Sequence, residues 1–213
     1  MNLALFDFDG TITNNDNYTM FLKYSCSRMR LVVGSVMLFP VIIGYTLKLI
    51  SSAATREIIA GFAFRGSNID DVMEYGRQYS NEILPGYIRK TALDRIDWHK
   101  KKGDVIVVVS ASLDVYLKHW CEKYDLDLIC TGFETENGII TGKYTFGDCT
   151  GKQKAQRVLE KYNLADYETI YAYGDTVEDK ELLELATIKF FRWKEVERIP
   201  LSADECDKRK NAV

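Results

Sequence analysis

Histidine and cysteine, the usual ligands of structural zinc, are scarce in this sequence of 213 residues. There are two histidines, and the five cysteines are odd in number, widely scattered and without a Cys-x-x-Cys pair. This distribution argues against a disulfide framework or a zinc-stabilised fold and favours a reducing, cytoplasmic compartment. His99 and His119 have no partner at ligand spacing, so we expect surface or half-buried residues.

An excess of basic residues is also missing, since 28 Lys and Arg residues are balanced by 31 Asp and Glu residues. Proteins that bind nucleic acid by neutralising phosphates carry a positive excess, so we expect no nucleic-acid partner. The N-terminus lacks the basic start and the uninterrupted apolar stretch of a signal peptide. The apolar fraction of 46% and the charged fraction of 28% are typical of a globular protein.

Short apolar runs alternate with helical patterns through much of the chain. Strands are predicted at residues 2–8, 104–110, 128–132, 169–174 and 187–191, and helices at residues 113–124, 152–162 and 178–185. The alternation predicts an α/β fold with a Rossmann-like parallel sheet. Asn137-Gly138 predicts the tip of a β-hairpin within this pattern.

About seventy residues of helical pattern without a convincing strand interrupt the alternation. They predict a helical cap subdomain, residues 14–85, inserted into an α/β catalytic core formed by residues 1–13 and 86–195. Residues 196–213 are polar and charged and are predicted to form a loosely held C-terminal tail.

An apolar run at residues 31–55 contains a single charged residue, Lys48. It is long enough to cross a bilayer, but Pro40 divides it into two pieces that are each too short. A single crossing would also place Asp7 and Ser110, two candidate site residues, on opposite sides of the membrane. We therefore expect a packed pair of cap helices, with a hairpin that dips into the membrane interface as the alternative.

Three basic residues precede the apolar run, namely Lys23, Arg28 and Arg30. A cluster of this kind is either a solvated face or a contact for anionic lipid. Peripheral contact with an anionic inner membrane is therefore the alternative to a purely cytoplasmic protein.

Four polar segments lie at the ends of predicted strands or at the start of a helix. They are Asp7-Phe8-Asp9-Gly10-Thr11, Ser110 with Ala111, Lys152, and Gly174-Asp175-Thr176-Val177-Glu178-Asp179. Ligands of open α/β sheets bind outside the carboxyl ends of the strands, so we expect these segments to meet in one crevice. Four carboxylates beside one lysine repel each other unless a cation joins them, and oxygen ligands favour Mg²⁺. Asp7 and Asp175 are the expected side-chain ligands, with the backbone carbonyl of Asp9 as a further one.

The residue types in these segments suit phosphoryl transfer. Asp7 is the candidate nucleophile and Asp9 the candidate general acid and base, because residues i and i+2 of a strand share a face. Ser110 and neighbouring backbone N–H groups, including that of Ala111, are predicted to hold phosphoryl oxygens. Lys152 is predicted to offset the charge that accumulates during transfer.

Together the segments resemble the four motifs of the haloacid dehalogenase superfamily of phosphatases. The resemblance implies a Mg²⁺-dependent phosphohydrolase with Asp7 as nucleophile and Asp9 as acid and base. It also implies that Asp175 is a metal ligand and that Asp179 supports the metal or Lys152. Dehalogenases of this superfamily lack an aspartate at the position of Asp9, which favours phosphoryl chemistry.

The insertion resembles the helical cap of the phosphoserine phosphatase-like branch. Asp16 lies near the acidic cap residue of that branch and is a candidate specificity residue, whereas Arg56 and Arg65 are equal candidates for a substrate carboxylate. Residues 16–24 and the apolar run that follows are similar to bacterial phosphatidylglycerophosphatase C-type relatives. The resemblance thus implies a small phosphorylated metabolite or a lipid phosphate as substrate, and the oligomeric state stays open.

Two other functions fit parts of the pattern. A phospho-accepting signalling receiver also combines acidic residues, a hydroxyl and a lysine around Mg²⁺, but it needs neither a cap nor the acid at Asp9. A membrane-associated protein with a vestigial site fits the apolar run, but the complete set of motifs argues against it.

Overall fold

The computed structural model describes residues 1–199. In chain order its strands are β1 (Leu3–Phe6), β2 (Val105–Leu113), β3 (Asp127–Thr131), β4 (Phe133–Glu136), β5 (Ile139–Tyr144), β6 (Ile170–Gly174), β7 (Ile188–Phe191) and β8 (Lys194–Val196). Six of them form one sheet in the order β3-β2-β1-β6-β7-β8. The first five of that order run parallel, and β8 is antiparallel to β7. The predicted α/β fold with a Rossmann-like parallel sheet is confirmed, whereas β8 was not anticipated.

The central strands are buried on both faces, which explains their continuous apolar runs. Every residue of β1 is fully buried. Alternate residues face opposite sides: Ala4 and Phe6 belong to one hydrophobic cluster, and Leu3 and Leu5 to the other. The sheet therefore carries a core layer on each side, and its strand ends are rigid supports for polar side chains.

The helices are α1 (Asn17–Ser25), α2 (Arg28–Met37), α3 (Phe39–Thr46), α4 (Ser52–Phe64), α5 (Ile69–Gln78), α6 (Lys90–Lys101), α7 (Asp114–Lys123), α8 (Lys152–Lys161) and α9 (Lys180–Glu184). The first five lie within the insertion. Its two ends meet, since the backbone N–H of Asn14 donates to Tyr87 and that of Arg89 donates to Ile12. The exact boundaries of the subdomains stay a prediction, and most of the predicted tail lies outside the described residues.

The hairpin formed by β4 and β5 turns at Asn137 and Gly138, as predicted, with positive φ at both residues. The hairpin pairs with the loop after α4, where Gly66 donates a backbone hydrogen bond to Ile140 and Ile140 donates one to Ser67. The β4–β5 hairpin, which belongs to the catalytic core in the sequence, thus packs against the helical insertion.

His99 contradicts the expectation of a surface or half-buried residue, because its side chain is fully buried. Its Nδ1 lies 2.8 Å from a carboxylate oxygen of Asp104, and its Nε2 lies 2.9 Å from the hydroxyl of Tyr173. Three and seven residues earlier, Ile96 and Ala92 occupy the same buried face of α6. Helical periodicity therefore places His99 against the sheet, where two polar partners satisfy its ring.

The apolar run forms most of α2, all of α3 and the start of α4. The helices α2 and α3 contact each other and α4, but most of their apolar side chains are exposed. Gly34 and Gly44 are the buried residues of the two helices. Among residues 1–199 no single helix is long and apolar enough to cross a membrane; α2 and α3 satisfy length and composition only as a pair, bent by 54°.

Candidate active site

A cavity of about 570 Å³ lies at the carboxyl ends of β1, β2 and β6, beneath the helical insertion. The sheet contributes acidic and hydroxyl side chains, among them Asp7, Asp9, Ser110 and Asp175. The insertion contributes residues of α1, α3 and α4 to the opposite wall. The predicted crevice therefore exists, and three of the four predicted polar segments reach it.

Asp7 follows the last residue of β1, and its backbone N–H donates to the carbonyl of Tyr173 on the neighbouring strand. After it the chain turns sharply at Gly10, where φ is 81°. A Cβ atom at this glycine would collide with the carboxylate of Asp175. Glycine is thus required twice over, by the left-handed backbone and by the close approach of the Asp175 carboxylate.

The lysine of the site is Lys154, and the prediction of Lys152 is corrected. Lys152 is exposed at the first turn of α8, whereas Lys154 is buried and lines the cavity. The Nζ of Lys154 lies 2.5 Å from Oδ1 of Asp7 and 2.6 Å from Oδ1 of Asp179. Helical phase alone does not separate the two lysines, since Lys154 lies four residues before the buried Val158 and Lys152 lies three residues before the buried Ala155.

The second oxygen of Asp179 is also occupied. It accepts hydrogen bonds from the backbone N–H groups of Asp175 and Thr176 and from the Thr176 hydroxyl. Asp179 thus fixes the loop after β6 and the ammonium of Lys154 at the same time. This geometry fits a supporting residue better than a direct metal ligand.

The carboxylate oxygens around Asp7 form a donor set that fits a divalent cation. Ligand oxygens of Asp7, Asp175 and Asp179 lie within 4.8 Å of one another. At an effective dielectric of about 20, two negative charges 4.8 Å apart repel by about 3.5 kcal/mol. Carboxylate oxygens around a partly open position suit Mg²⁺, which retains waters and takes few protein ligands. Asp7 and Asp175 are the residues with oxygens available for it.

The pKa shifts of these groups show the same excess of negative charge. Burial raises the pKa of Asp7 well above its usual value, and the charge of Asp179 raises it further. Burial and Asp179 together raise the pKa of Asp175 to about 6. Burial alone would lower the pKa of Lys154, but the charges of Asp179 and Asp7 outweigh it and raise the pKa.

Asp9 has different partners, which the sequence reading did not identify. Its Oδ1 accepts hydrogen bonds from the backbone and side-chain amides of Asn17, at 2.9 Å and 2.8 Å. The hydroxyl of Ser112 donates to its Oδ2. Burial raises the pKa of Asp9. The carboxylate of Asp9 is engaged by these partners and is not among the clustered oxygens of Asp7, Asp175 and Asp179. The role of its backbone carbonyl as a metal ligand stays a prediction.

Ser110 and Ala111 line the cavity as predicted. The Oγ of Ser110 accepts a hydrogen bond of 3.0 Å from the backbone N–H of Ser112. This bond leaves the Ser110 hydroxyl proton free to point at a ligand. Ser112 was missed because the predicted strand ended at Ser110, whereas β2 continues to Leu113.

Asp16 caps α1, where its carboxylate accepts from the backbone N–H and the hydroxyl of Thr19. It also lies on the cavity wall, on the exposed side. Of the two candidate arginines, Arg56 lines the cavity and Arg65 lies elsewhere. Arg56 is paired with Asp148 through two hydrogen bonds of 2.7 Å and 3.2 Å.

Comparison with known families agrees with this geometry. The family described as haloacid dehalogenase-like hydrolase matches residues 4–184, which include both core segments and the insertion. The chain belongs to the haloacid dehalogenase-like hydrolase family. Its members are hydrolases, so the aspartates at the strand ends are the candidate catalytic residues of a hydrolytic enzyme.

Several proteins are similar to this hydrolase over most of its length. Protein CicA of Caulobacter vibrioides is 29% identical over 196 residues, which are 89% of this chain and 85% of that protein. A structure of a protein of unknown function from Bordetella pertussis Tohama I has a TM-score of 0.74 at 18% identity, covering 98% and 96% of the two chains. A phosphoserine phosphatase structure, solved as a phospho-aspartyl intermediate analogue, has a TM-score of 0.59 at 20% identity, covering 88% and 84%.

Proposed function

We propose that this hydrolase is a Mg²⁺-dependent phosphomonoesterase that acts through an aspartyl-phosphate intermediate. The observation that supports the proposal is that two carboxylates in one cavity have different surroundings. Asp7 lies among the oxygens of the acidic cluster and against Lys154, whereas Asp9 is held apart by Asn17 and Ser112. In this proposal Asp7 is the nucleophile and Asp9 is the acid and base.

Asp7 and Asp175 would hold the metal ion, with the backbone carbonyl of Asp9 as a further ligand. When bound, Mg²⁺ supplies positive charge to the phosphoryl oxygens and to the Asp7 carboxylate. Asp179 does not need to bind the ion, because its oxygens already accept from Lys154 and from the loop after β6. It keeps Lys154 and the backbone of Asp175 in position.

In the first step a carboxylate oxygen of Asp7 attacks phosphorus, and the bond from phosphorus to the ester oxygen breaks. Asp9 donates its proton to the departing alcohol, and its raised pKa favours the protonated form that this step needs. In the second step Asp9 takes a proton from water as the water oxygen attacks phosphorus. The bond to Asp7 then breaks, and inorganic phosphate leaves.

The phosphoryl oxygens need donors during both steps. The Ser110 hydroxyl and the backbone N–H of Ala111 lie on the cavity wall at the end of β2. Lys154 adds a positive charge beside Asp7. These groups would stabilise the charge that develops on the transferred group.

The substrate is a small phosphorylated metabolite or a lipid phosphate. A phosphorylated free amino acid is less favoured as substrate, because it needs a free arginine to bind its carboxylate. The arginine on the cavity wall, Arg56, is already paired with the buried Asp148. The phosphoserine phosphatase among the similar structures supports phosphoryl chemistry on this fold, since it was solved as a phospho-aspartyl analogue.

The proposal is tested by phosphate release from an aryl phosphate with and without Mg²⁺. We expect Asp7→Asn to abolish turnover and Asp9→Asn to slow it by about 100- to 10,000-fold. Asp125→Asn is the matched control, because Asp125 is exposed and adopts a positive φ that Asn tolerates. Retained turnover in Asp7→Asn would refute the mechanism.

The lifetime of the phosphorylated protein separates an enzyme from a signalling receiver. Acid-quenched samples of the wild type should show a phosphoenzyme that decays within the turnover time. In Asp9→Asn the phosphoenzyme should last longer, because water lacks its base. A wild-type phosphoenzyme whose lifetime is much longer than the turnover time would favour the signalling receiver instead.

A further inference from the structure

The hairpin formed by α2 and α3 presents its apolar side chains to solvent. In α2, Met29, Val32, Val33 and Val36 follow the i, i+3, i+4, i+7 spacing of one helical face, and all four are exposed. A helix in a soluble domain normally turns such a face towards the core. Here each helix instead buries a glycine, as described above, so the apolar face is outward.

Exposed apolar residues are frequent along this whole segment. Exposed apolar residues continue from α2 through α3 to the next turn: Met37, Phe39, Ile42, Ile43, Tyr45, Leu47 and Leu49. Isolated exposed apolar residues need no partner, but a cluster such as this one in two adjacent helices is typical of an interaction site.

The charge of the same segment is entirely positive. From Asn17 to Thr55 the chain contains Lys23, Arg28, Arg30 and Lys48 and no acidic residue, although the whole protein has a net charge of −3. All four cations are exposed, and within residues 1–199 none of them lies within 4 Å of a carboxylate. Apolar side chains flanked by unpaired cations are the chemistry that an anionic lipid surface binds.

The apolar surface also reaches the mouth of the active-site cavity. Ile42 and Tyr45 belong to the exposed apolar set and line that cavity. Lys48 lies in an adjoining depression that shares Tyr45, Ser52 and Glu178 with it. A surface that binds the hairpin therefore also faces the opening to Asp7.

We propose that the α2–α3 hairpin docks on the surface of an anionic lipid bilayer and holds the mouth of the active-site cavity against the lipid headgroups. Docking favours the lipid-borne phosphomonoester over the soluble metabolite as substrate; this second part rests on the proposed function. The docked hairpin lies in the interface, which its bend of 54° and short helices suit better than a crossing.

Flotation with vesicles tests docking independently of catalysis. The wild type should float with vesicles of phosphatidylcholine mixed with phosphatidylglycerol and stay unbound with phosphatidylcholine alone. Arg28→Gln with Arg30→Gln should weaken binding by about 30-fold, at about 1 kcal/mol for each charge. Lys90→Gln with Lys101→Gln on α6 removes the same charge elsewhere and should leave binding unchanged.

A second pair of variants tests the apolar face. Val32→Ser with Val36→Ser should weaken binding at least tenfold, whereas Val32→Leu with Val36→Leu should retain it. Phe146→Ser is the control for loss of an exposed apolar side chain, since Phe146 is 82% exposed outside the hairpin. These positions are exposed, so thermal midpoints should match that of the wild type.

Several results would overturn docking. They are failure of the wild type to float, equal flotation with neutral vesicles, and full flotation of the hairpin variants. Dimerisation that the Val32 and Val36 variants abolish, without vesicle binding, would show that a second copy covers this face instead.

Hydrolysis assays address the substrate separately. The hairpin variants should lose turnover of phosphatidic acid in anionic vesicles and retain turnover of a soluble aryl phosphate. Equal turnover of phosphatidic acid by wild type and variants would refute the lipid part. Absence of turnover on both substrates would refute the proposed function, while flotation would still decide docking.

Discussion

Replacement of Lys154 by methionine tests the assignment of the site lysine most directly. The ammonium lies 2.5 Å and 2.6 Å from oxygens of Asp7 and Asp179, and the residue is 3% exposed. At an effective dielectric of about 20, each contact is worth about 6.5 kcal/mol of Coulomb attraction. The net cost of removing the buried ammonium is far smaller than the sum of the two contacts, because desolvation of the ammonium and of the two carboxylates offsets most of the attraction.

We expect Lys154→Met to lower the free energy of unfolding by about 3–5 kcal/mol, the usual cost of leaving buried charge unpaired. Phosphate release should fall by about 100- to 1000-fold, because a fixed positive charge beside the nucleophile is lost. Urea unfolding and initial rates with an aryl phosphate measure the two effects. Methionine is chosen since it keeps the length of the aliphatic stem.

Lys152→Met is the matched control, two residues earlier on the same helix. Lys152 is exposed, so the change in unfolding free energy should stay within about 0.5 kcal/mol. Turnover should be close to that of the wild type. A loss of activity in Lys152→Met with normal behaviour of Lys154→Met would refute the reasoning, because it would restore the lysine that the sequence pattern favoured.

Three further predictions concern the turn after β1, the junction of cap and core, and the buried histidine. Gly10→Ala should abolish turnover and destabilise the fold more than Gly66→Ala. Both glycines have φ of 81°, but only a Cβ atom at Gly10 would collide with the Asp175 carboxylate, whereas the space beside Gly66 is open. Equal thermal midpoints of the two variants would contradict this. Arg56→Met should cost about 3 kcal/mol in urea unfolding, and adding Asp148→Asn should recover part of it, since Asp148 is buried and would otherwise lose its partner. Burial lowers the pKa of His99 in the folded protein below 6.5. As pH falls, the imidazole is therefore protonated at a higher pH in the unfolded chain than in the folded protein. The unfolding free energy of the wild type should therefore decrease as pH falls below about 6.5, and that of His99→Gln should decrease less steeply. Identical slopes of unfolding free energy against pH in the two proteins would contradict the prediction.

The sequence allowed accurate prediction where chemistry follows directly from a strand end. Asp7 and Asp175 lie at the ends of short apolar strands, and parallel strands bring their carboxyl ends to one edge. Asn137-Gly138 specifies a hairpin turn because both residues accept positive φ. These features depend on neighbours in the chain, so local patterns were sufficient to predict them.

The site lysine and the partners of Asp9 could not be predicted in the same way. Lys152 and Lys154 differ only in their rotation about α8, and the packing of that helix against the sheet decides which one is buried. Asn17 and Ser112 reach Asp9 from the insertion and from the end of β2, across sequence distances of 8 and 103 residues. Contacts of this kind arise only when separate elements pack together.

For this protein, the order of residues along the chain by itself determined the parallel sheet, the acidic strand ends and the apolar segment within the insertion. Strands and helices follow from short apolar runs and their spacing, which are local patterns that the sequence carries by itself. The tertiary structure alone decided that Lys154 joins Asp7 to Asp179 and that the apolar face of α2 points outward. Both depend on how a helix is rotated against its neighbours, and that rotation is set by the packing of the whole fold.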